Sequence, residues 1–550
     1  MHEIITLQFG QQANYLATHF WNTQESYFTY SADQPESPID HDIHFRPGIA
    51  PDGTETFMPR TVIYDLKGAF GTLRKVNALY EVTDDAPADA AALTWQGRPP
   101  TRIQAAPPVP LSPYQAALEA NLPPRRPYPS EIRFFSDYAR VFYHPRSVVP
   151  LIERDVTPAT AVTANPSASQ SSSSSSATSS SSSSSSYSSY PFFERYATGE
   201  ELFADLDREH DLLDRDLRPF VEEADFMQGI QVLAGFDDAW GGFASRYVER
   251  VRDEYGKVAV WVWGLHGSMR GLPREKRLLR LANKARTITE MYKQASIVVP
   301  LAVPERLPSP SVSLDPALHW HTSALFTAAV ESALLPSRLR DPSKRDTLGN
   351  MVDLLNLMGK QTVAGLQMSF AQPDSDGHRD LRRRVLSDDE LSEGVKLDIG
   401  FTPSDQLDSY VRQSNTFDRP RVFSQLVASR GFREDGSVDI EMDEAGRRIR
   451  RSSYEPVTKS YNSDLQFPLL DSFPEIFRGD DDGKPLTESV SIISSLSTDS
   501  SVSGKLKQLR STVIRSIALE DRETLGNDLM EMADEYHEGW SSGSDEGEDD

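Results

Sequence analysis

The chain has 550 residues, with 57 Lys+Arg against 82 Asp+Glu for a net charge of −25, and it contains no cysteine. The missing thiols exclude disulfide frameworks, thiol nucleophiles, iron–sulfur clusters and cysteine-ligated zinc, and the acidic excess argues against a general polyanion binder, whose phosphate contacts need Lys and Arg. The length predicts roughly three to four domain-sized units. At a mean hydropathy of −0.48, the longest apolar stretches, Val258–Leu265 and Ala295–Val303, fall well short of the ~20 residues a spanning helix needs.

The acidity is uneven. Glu520 to Asp550 holds thirteen acidic residues and one basic one, Arg522, so about half of the imbalance sits in the last 31 residues. At the other end no Lys or Arg precedes Arg46, which argues against a transit peptide or a positive signal-peptide n-region.

In chain order, Ile5, Leu7 and Phe9 alternate as in a strand, and Leu16, Ala17, Phe20 and Trp21 then recur on one helical face. Thr61–Tyr64 is a second β-type run. Residues 84–190 read as an insertion, Pro- and Ala-rich to about Pro129, then aromatic at Phe134–Phe135 and Tyr138–His144. The nearly pure serine tract Ser171–Ser186, within a linker spanning 167–190, has no apolar surface to bury and is expected to be disordered.

Order resumes near Pro191. Glu200–Glu223 is a charged helical pattern, Gly229–Leu233 a strand, Gly242–Tyr255 a helix, Val258–Trp263 a buried strand, Arg274–Ala295 a helix and Ser296–Leu301 a strand. Strands alternating with helices imply a parallel, doubly wound sheet. Helices are expected at Ser323–Leu334 and Leu348–Val363, with strand-like runs near Val395–Phe401 and Val422–Val427. After Phe477 the chain turns Ser/Asp-rich, and its one convincing element is Glu523–Tyr536, where Leu525, Leu529, Met532 and Tyr536 share a face. The fold class is therefore α/β, a doubly wound parallel sheet domain over 1–335 followed by a mixed α+β domain over 336–480. An acidic tail with one short helix is expected over 481–550.

Sites for chemistry are few. There is no Walker A sequence and no Gly-x-Ser-x-Gly elbow. The pairs His41/His44 and His319/His321 lack flanking ligands and read as packing or surface histidines rather than a metal site. The helix carrying Arg274, Lys276, Arg277, Arg280, Lys284 and Arg286 reverses the local charge. It reads as a solvated face, with contact to an anionic lipid or an acidic protein as the sharper alternative.

The opening MHEIITLQFGQQANYLATHFWN resembles the start of tubulin, where a strand enters a Gly-Gln-x-x-Asn turn and the next helix aims its N-terminus at the guanine nucleotide's phosphates. Gly10, Gln11 and Asn14 match that turn. Glycine permits the turn, and free N–H groups at a helix start attract anions. FMPRTVIYDL (Phe57–Leu66) and MQGIQVL through VRDEY (Met227–Tyr255) resemble two further strand–loop units of the tubulin nucleotide site. Together with the insertion and with PFFERY, YHPRS, FSQLVASRG and LDSFPEIF, they identify the chain as similar to the Misato family. These are tubulin-like proteins linked in fungi to mitochondrial partitioning and mitochondrial DNA inheritance.

The resemblance implies a nucleotide pocket built by Gly10, Gln11, Asn14, Asp65, Gly241 and Gly242, but the departures predict a vestigial one. Where tubulin has glycines and a threonine, this chain reads Asp237-Asp238-Ala239-Trp240-Gly241-Gly242-Phe243. Two bulky aromatics stand there, and two aspartates would face a phosphate with like charge. At an effective dielectric of ~20, each such pair at ~4 Å repels by about 4 kcal/mol, or ~1000-fold in affinity. Lys67 replaces an acidic residue that would support magnesium. The nearest counterpart of the loop that in tubulins reaches the neighbouring subunit's nucleotide and supplies a catalytic acid is Gly377–Arg383, where Asp380 can align but arginine stands where the acid is needed. The resemblance thus implies a non-enzymatic protein without a cofactor, the alternatives being a GTP-binding, tubulin-type assembling GTPase and a regulator of tubulin subunits. Its partners are expected to be proteins, tubulin-like or on the mitochondrial surface. Direct nucleic-acid binding is not expected, membrane association is at most peripheral, and the location is the outer, cytosolic face of mitochondria and the cytoplasm.

Overall fold

The computed structural model describes residues 2–29, 36–49, 53, 55–73, 109–151, 193–304, 307–308, 311–373, 375–385, 393–404, 420–432, 455–479 and 483–537. The serine tract lies outside the described residues.

The first strand and helix, β1 (Glu3–Phe9) and α1 (Gln11–Glu25), follow the alternation and the helical periodicity of the sequence. A two-stranded hairpin, β2 (Phe45–Ile49) with β3 (Glu55–Pro59), leads into β4 (Thr61–Leu66). From the insertion come the short helix α2 (Pro113–Glu119) and β5 (Val148–Leu151). Next are α3 (Tyr196–His210), α4 (Arg218–Glu222), β6 (Met227–Gly235), α5 (Ala239–Glu254), β7 (Ala259–Leu265), α6 (Arg274–Gln294) and β8 (Ile297–Leu301). The sheet order is β5-β4-β1-β6-β7-β8 with every neighbouring pair parallel, the doubly wound arrangement the alternating pattern predicts.

Both faces of this sheet are covered, as parallel sheets require. Ile5, Leu7 and Phe9 point to one core together with Phe243, Tyr247 and Val248 of α5, while Ile4, Trp261 and Trp263 point to the other with Leu16 and Phe20 of α1. Fully burying each such side chain contributes ~1.5–3 kcal/mol. The charged pattern Glu200–Glu223 is not one helix. It breaks at Asp211, which adopts the left-handed conformation at φ 45°, and restarts around Pro219 after a π-helical turn.

Helix α7 (His319–Ala333) packs against α1 on one side and a second sheet on the other. After α8 (Leu348–Leu355), that sheet is assembled from β9 (Gly365–Ala371), β10 (Ile399–Gly400), β11 (Val422–Arg430), β12 (Val457–Ser463), β13 (Phe467–Pro468) and β14 (Ser489–Asp499). Helix α9 (Asp376–Val385) lies between β9 and β10 in sequence. The order is β10-β9-β14-β11-β12, antiparallel except for β11 with β12, and β13 pairs with β14. The chain closes with α10 (Ser501–Val513) and α11 (Leu519–Asp534).

Three expectations are corrected. The helix over Leu348–Val363 stops at Leu355, because Val363 is drawn into a bridge beside Val298 of β8. The insertion is not merely irregular: it supplies the edge strand β5 and the buried Phe135 and Tyr138, whose hydroxyl donates to Tyr15 O at 2.9 Å. The segment over 481–550 is not a tail with one helix: β14 runs through the middle of the second sheet, and α10 and α11 both pack on α6. Serine composition hid β14, yet its apolar positions Val490, Ile492 and Leu496 are fully buried. Its small serines fit a strand enclosed on both sides, Ser495 Oγ accepting from Gln425 Nε2 at 2.7 Å.

The two sheets are joined by buried charge. Glu331 of α7 accepts from Arg338 Nη2 at 2.7 Å and from Arg430 Nη1 of β11, and all three side chains are fully buried. Gln24 Nε2 and the Tyr27 hydroxyl, at the end of α1, also donate to Glu331 Oε1, each at 3.2 Å.

Candidate functional site

A cavity of about 600 Å³ lies at the C-terminal edge of the parallel sheet, where β1, β4 and β6 hand over to their following segments. That edge is where open α/β sheets bind ligands. Gly10, Gln11 and Asp65 line it, with Gln12, Phe134, Phe193, Glu194, Asp237, Asp238, Trp240, Lys276, Arg280 and His319.

Gly10 is the N-cap of α1, at φ 86°, and its N–H donates to Tyr64 O at 3.0 Å. Only glycine takes this conformation without strain, so the Gly-Gln-x-x-Asn turn is built as the sequence suggests. Asn14 sits one helical turn on, fully buried behind the lining. Its Nδ2 donates to Asp65 Oδ2 at 2.7 Å, and Leu66 N–H donates to Asp65 Oδ1 at 2.8 Å. Burial raises the Asp65 carboxyl to about 7 despite these two donors. Asn14 therefore positions Asp65 rather than facing the cavity itself.

The loop after β6 is only three residues, Phe236 to Asp238, before α5 begins at Ala239. Asp238 caps that helix, accepting from Trp240 N–H at 2.9 Å. Burial first, and then neighbouring Asp237, raise its carboxyl to about 7. Asp237 turns away to accept from Gly267 N–H at 3.1 Å and to pair with Arg280 at 3.5 Å. Neither aspartate confronts the cavity as a bare charge, so the like-charge repulsion expected from sequence is softened. The obstruction is steric. The indole of Trp240, only 6% exposed, packs edge-on to Phe193 with ring centroids 4.9 Å apart and lies directly over Gly10.

Gly241 and Gly242 do not reach the cavity. Both are in the first turn of α5, where an added Cβ would lie 2.2 Å from Thr287 Oγ1 of α6 and 2.0 Å from Tyr196 O of α3, respectively. They are glycines because two helices press against α5, a packing role that sequence cannot separate from a phosphate loop. Gly377–Arg383 belong to helix α9 after β9 rather than to a loop; His378 stacks on Phe432 at 4.4 Å, and Asp380 is exposed and is not among the residues lining this chain's own cavity.

The basic helix is α6, and several of its charges have partners. Lys276 pairs with Glu194 at 3.0 Å, Arg286 with Asp521 at 2.5 Å and Lys293 with Asp528 at 2.9 Å. The last two bring α11, from the acidic end of the chain, onto α6, while Leu281 and Ala285 are buried and Arg274 and Lys276 stay exposed, as a solvated basic face requires. Among the cavity-lining residues, Phe134, Phe193 and Arg280 carry no nucleotide motif. They emerge only as parts of the aromatic patch, of PFFERY and of α6. Among the described residues no group of three or more His, Asp or Glu is placed to hold a metal; His41 stacks on Phe28, and His319 packs at a tilt against Tyr15. The cavity is wide enough for a nucleoside-sized molecule. Trp240 stands over the α1 turn, on the side where a tubulin-type nucleotide would need its phosphate cradle.

A Misato Segment II tubulin-like domain matches residues 2–120, and a tubulin domain matches residues 181–339. The chain is 57% identical over 578 residues to Protein dml-1 of Neurospora crassa, covering 100% of both chains. It is 40% identical over 555 residues to Protein DML1 of Gibberella zeae, again covering 100% of both. It is 28% identical over 409 residues to Protein misato homolog 1 of Bos taurus, covering 67% of this chain and 65% of that one.

Proposed function

Because the chain belongs to the Misato/Dml1 family of tubulin-like proteins, we propose that it acts in the partitioning of mitochondria and the inheritance of their DNA, through protein contacts and without nucleotide hydrolysis. The observation that carries this reading is Trp240 seated over Gly10 at the start of α1. A phosphate would have to displace a packed indole, and the first turn of α5 presents helix packing rather than a ring of open amides. Its place is the outer, cytosolic face of mitochondria, reached by peripheral association. Its partners are proteins, tubulin-like or resident on that surface. Any effect on mitochondrial DNA is exerted through the organelle, since an acidic chain is poorly suited to grip phosphates.

A second reading, a GTP-binding protein that assembles as tubulins do, draws on the cavity of about 600 Å³ lined by Gly10, Gln11 and Gln12 at the start of α1. Equilibrium titration with fluorescent GTP and magnesium separates the two. The first predicts no saturable binding; micromolar, magnesium-dependent binding abolished by Gln11→Ala would establish the second. Protease treatment of intact mitochondria tests the location, and complete protection of the protein would contradict it.

A further inference from the structure

Between α2 and the aromatic patch the chain reads Leu122-Pro-Pro-Arg-Arg-Pro-Tyr-Pro129. Four proline rings fix φ near −65° at Pro123, Pro124, Pro127 and Pro129. The residues preceding them, Leu122, Pro123, Arg126 and Tyr128, are pushed to extended ψ. Only Arg125 is left unconstrained by the sequence. Tyr128, at φ −80° and ψ 152°, stands in the polyproline II region, whose period is three residues per turn.

Exposure follows that period. Leu122, Arg125 and Tyr128 face outward, at 60%, 52% and 63% exposed, and the Arg125 guanidinium lies over the Tyr128 ring at 4.8 Å from its centroid. Pro127 is buried and Pro124 half-buried on the opposite side. Both ends are fastened. Leu122 N–H donates to Ala117 O at 2.9 Å, Arg126 pairs with Glu475 at 2.7 Å, and Glu131 accepts from Tyr128 N–H at 2.9 Å. Two large apolar side chains and one cation thus stand in a row on a rigid ridge, with few N–H groups to satisfy.

We propose that this ridge is a preformed polyproline-type ligand for a partner protein module whose groove is a row of aromatic side chains bordered by a carboxylate. Stacking on Leu122, Pro123 and Tyr128 supplies contact area, and the carboxylate takes Arg125 from Glu131, with which Arg125 pairs in the free protein. Because the ridge is already ordered, docking escapes most of the conformational cost that a free proline-rich peptide meets. The ridge lies outside the cavity, so this proposal and the nucleotide reading fail independently.

The test is isothermal titration of the full-length protein with each SH3-, WW- and EVH1-type domain of the source organism, individually purified. At least one domain is expected to bind. The affinity is expected to fall more than about tenfold in Tyr128→Ala and in Arg125→Glu, to persist in Tyr128→Phe, and to be unchanged in Leu357→Ser, an exposed apolar residue elsewhere. Unaltered thermal melting of the variants excludes misfolding as the cause. Absence of binding across the whole set, or binding indifferent to Tyr128→Ala, overturns the proposal.

Discussion

A Cβ added to Gly10 would lie 2.4 Å from Cδ1 of the Trp240 indole, so the turn that opens α1 and the first turn of α5 are complementary surfaces. Gly10→Ala combines this clash with a φ of 86°, and is expected to cost about 1–3 kcal/mol in denaturant unfolding. Trp240→Ala removes the clash but not the backbone strain. In a double-mutant cycle the pair is therefore expected to couple by on the order of 1 kcal/mol, the double variant being more stable than additivity predicts.

Glu331→Gln is expected to be strongly destabilising although it conserves shape. Glu331 is the carboxylate shared by two fully buried guanidinium groups, Arg338 and Arg430. Its removal strands both charges and should cost ~3–5 kcal/mol, read as a lower urea midpoint at an unchanged slope.

The carboxyl of Asp65 predicts a pH signature. Its folded pKa, about 7, lies above the ordinary 3.8, because burial disfavours the ionised form. The folded state therefore binds more protons than the unfolded state, and this stabilisation is present below pH ~4 and lost as pH rises toward 7. Asp65→Asn abolishes that loss. Relative to the parent protein, the variant should gain about 1.4 kcal/mol for each pH unit between 5 and 7, measured as the difference between parallel denaturation curves.

Tyr536→Phe tests the anchoring of the C-terminal helices. The Tyr536 hydroxyl accepts from Val363 N–H at 2.6 Å and donates to Val363 O at 3.2 Å, all buried. Deleting it orphans a buried amide, and about 1–3 kcal/mol of stability is expected to be lost. Hydrogen exchange at Val363 should accelerate correspondingly.

Much of the parallel sheet was legible because its physics is local. The alternation of Ile5, Leu7 and Phe9, the continuous apolar run at Val258–Trp263 and the Gly10 turn each announce themselves within ten residues. The cavity was half legible for the same reason, with Gly10, Gln11 and Asp65 lying beside strand ends. Gly241 and Gly242 misled because the same missing Cβ serves a phosphate loop or a close helix crossing, and only Thr287 and Tyr196, distant in sequence, decide between them. Strand β14 was hidden because its serines mimic a linker. Only the strands on either side, β9 and β11, make small polar side chains suitable there.

The central position of β14 imposes an order of events on synthesis. β9 and β11 are bridged only by a strand formed by residues 489–499, so from the completion of β11 at Arg430 until that strand is made both present open edges. Such edges are templates for wrong pairing. The parallel sheet, by contrast, has its last strand by Leu301. A nascent chain halted between those two points is half a folded protein joined to an unfinished sheet. That interval is when a chaperone would be needed.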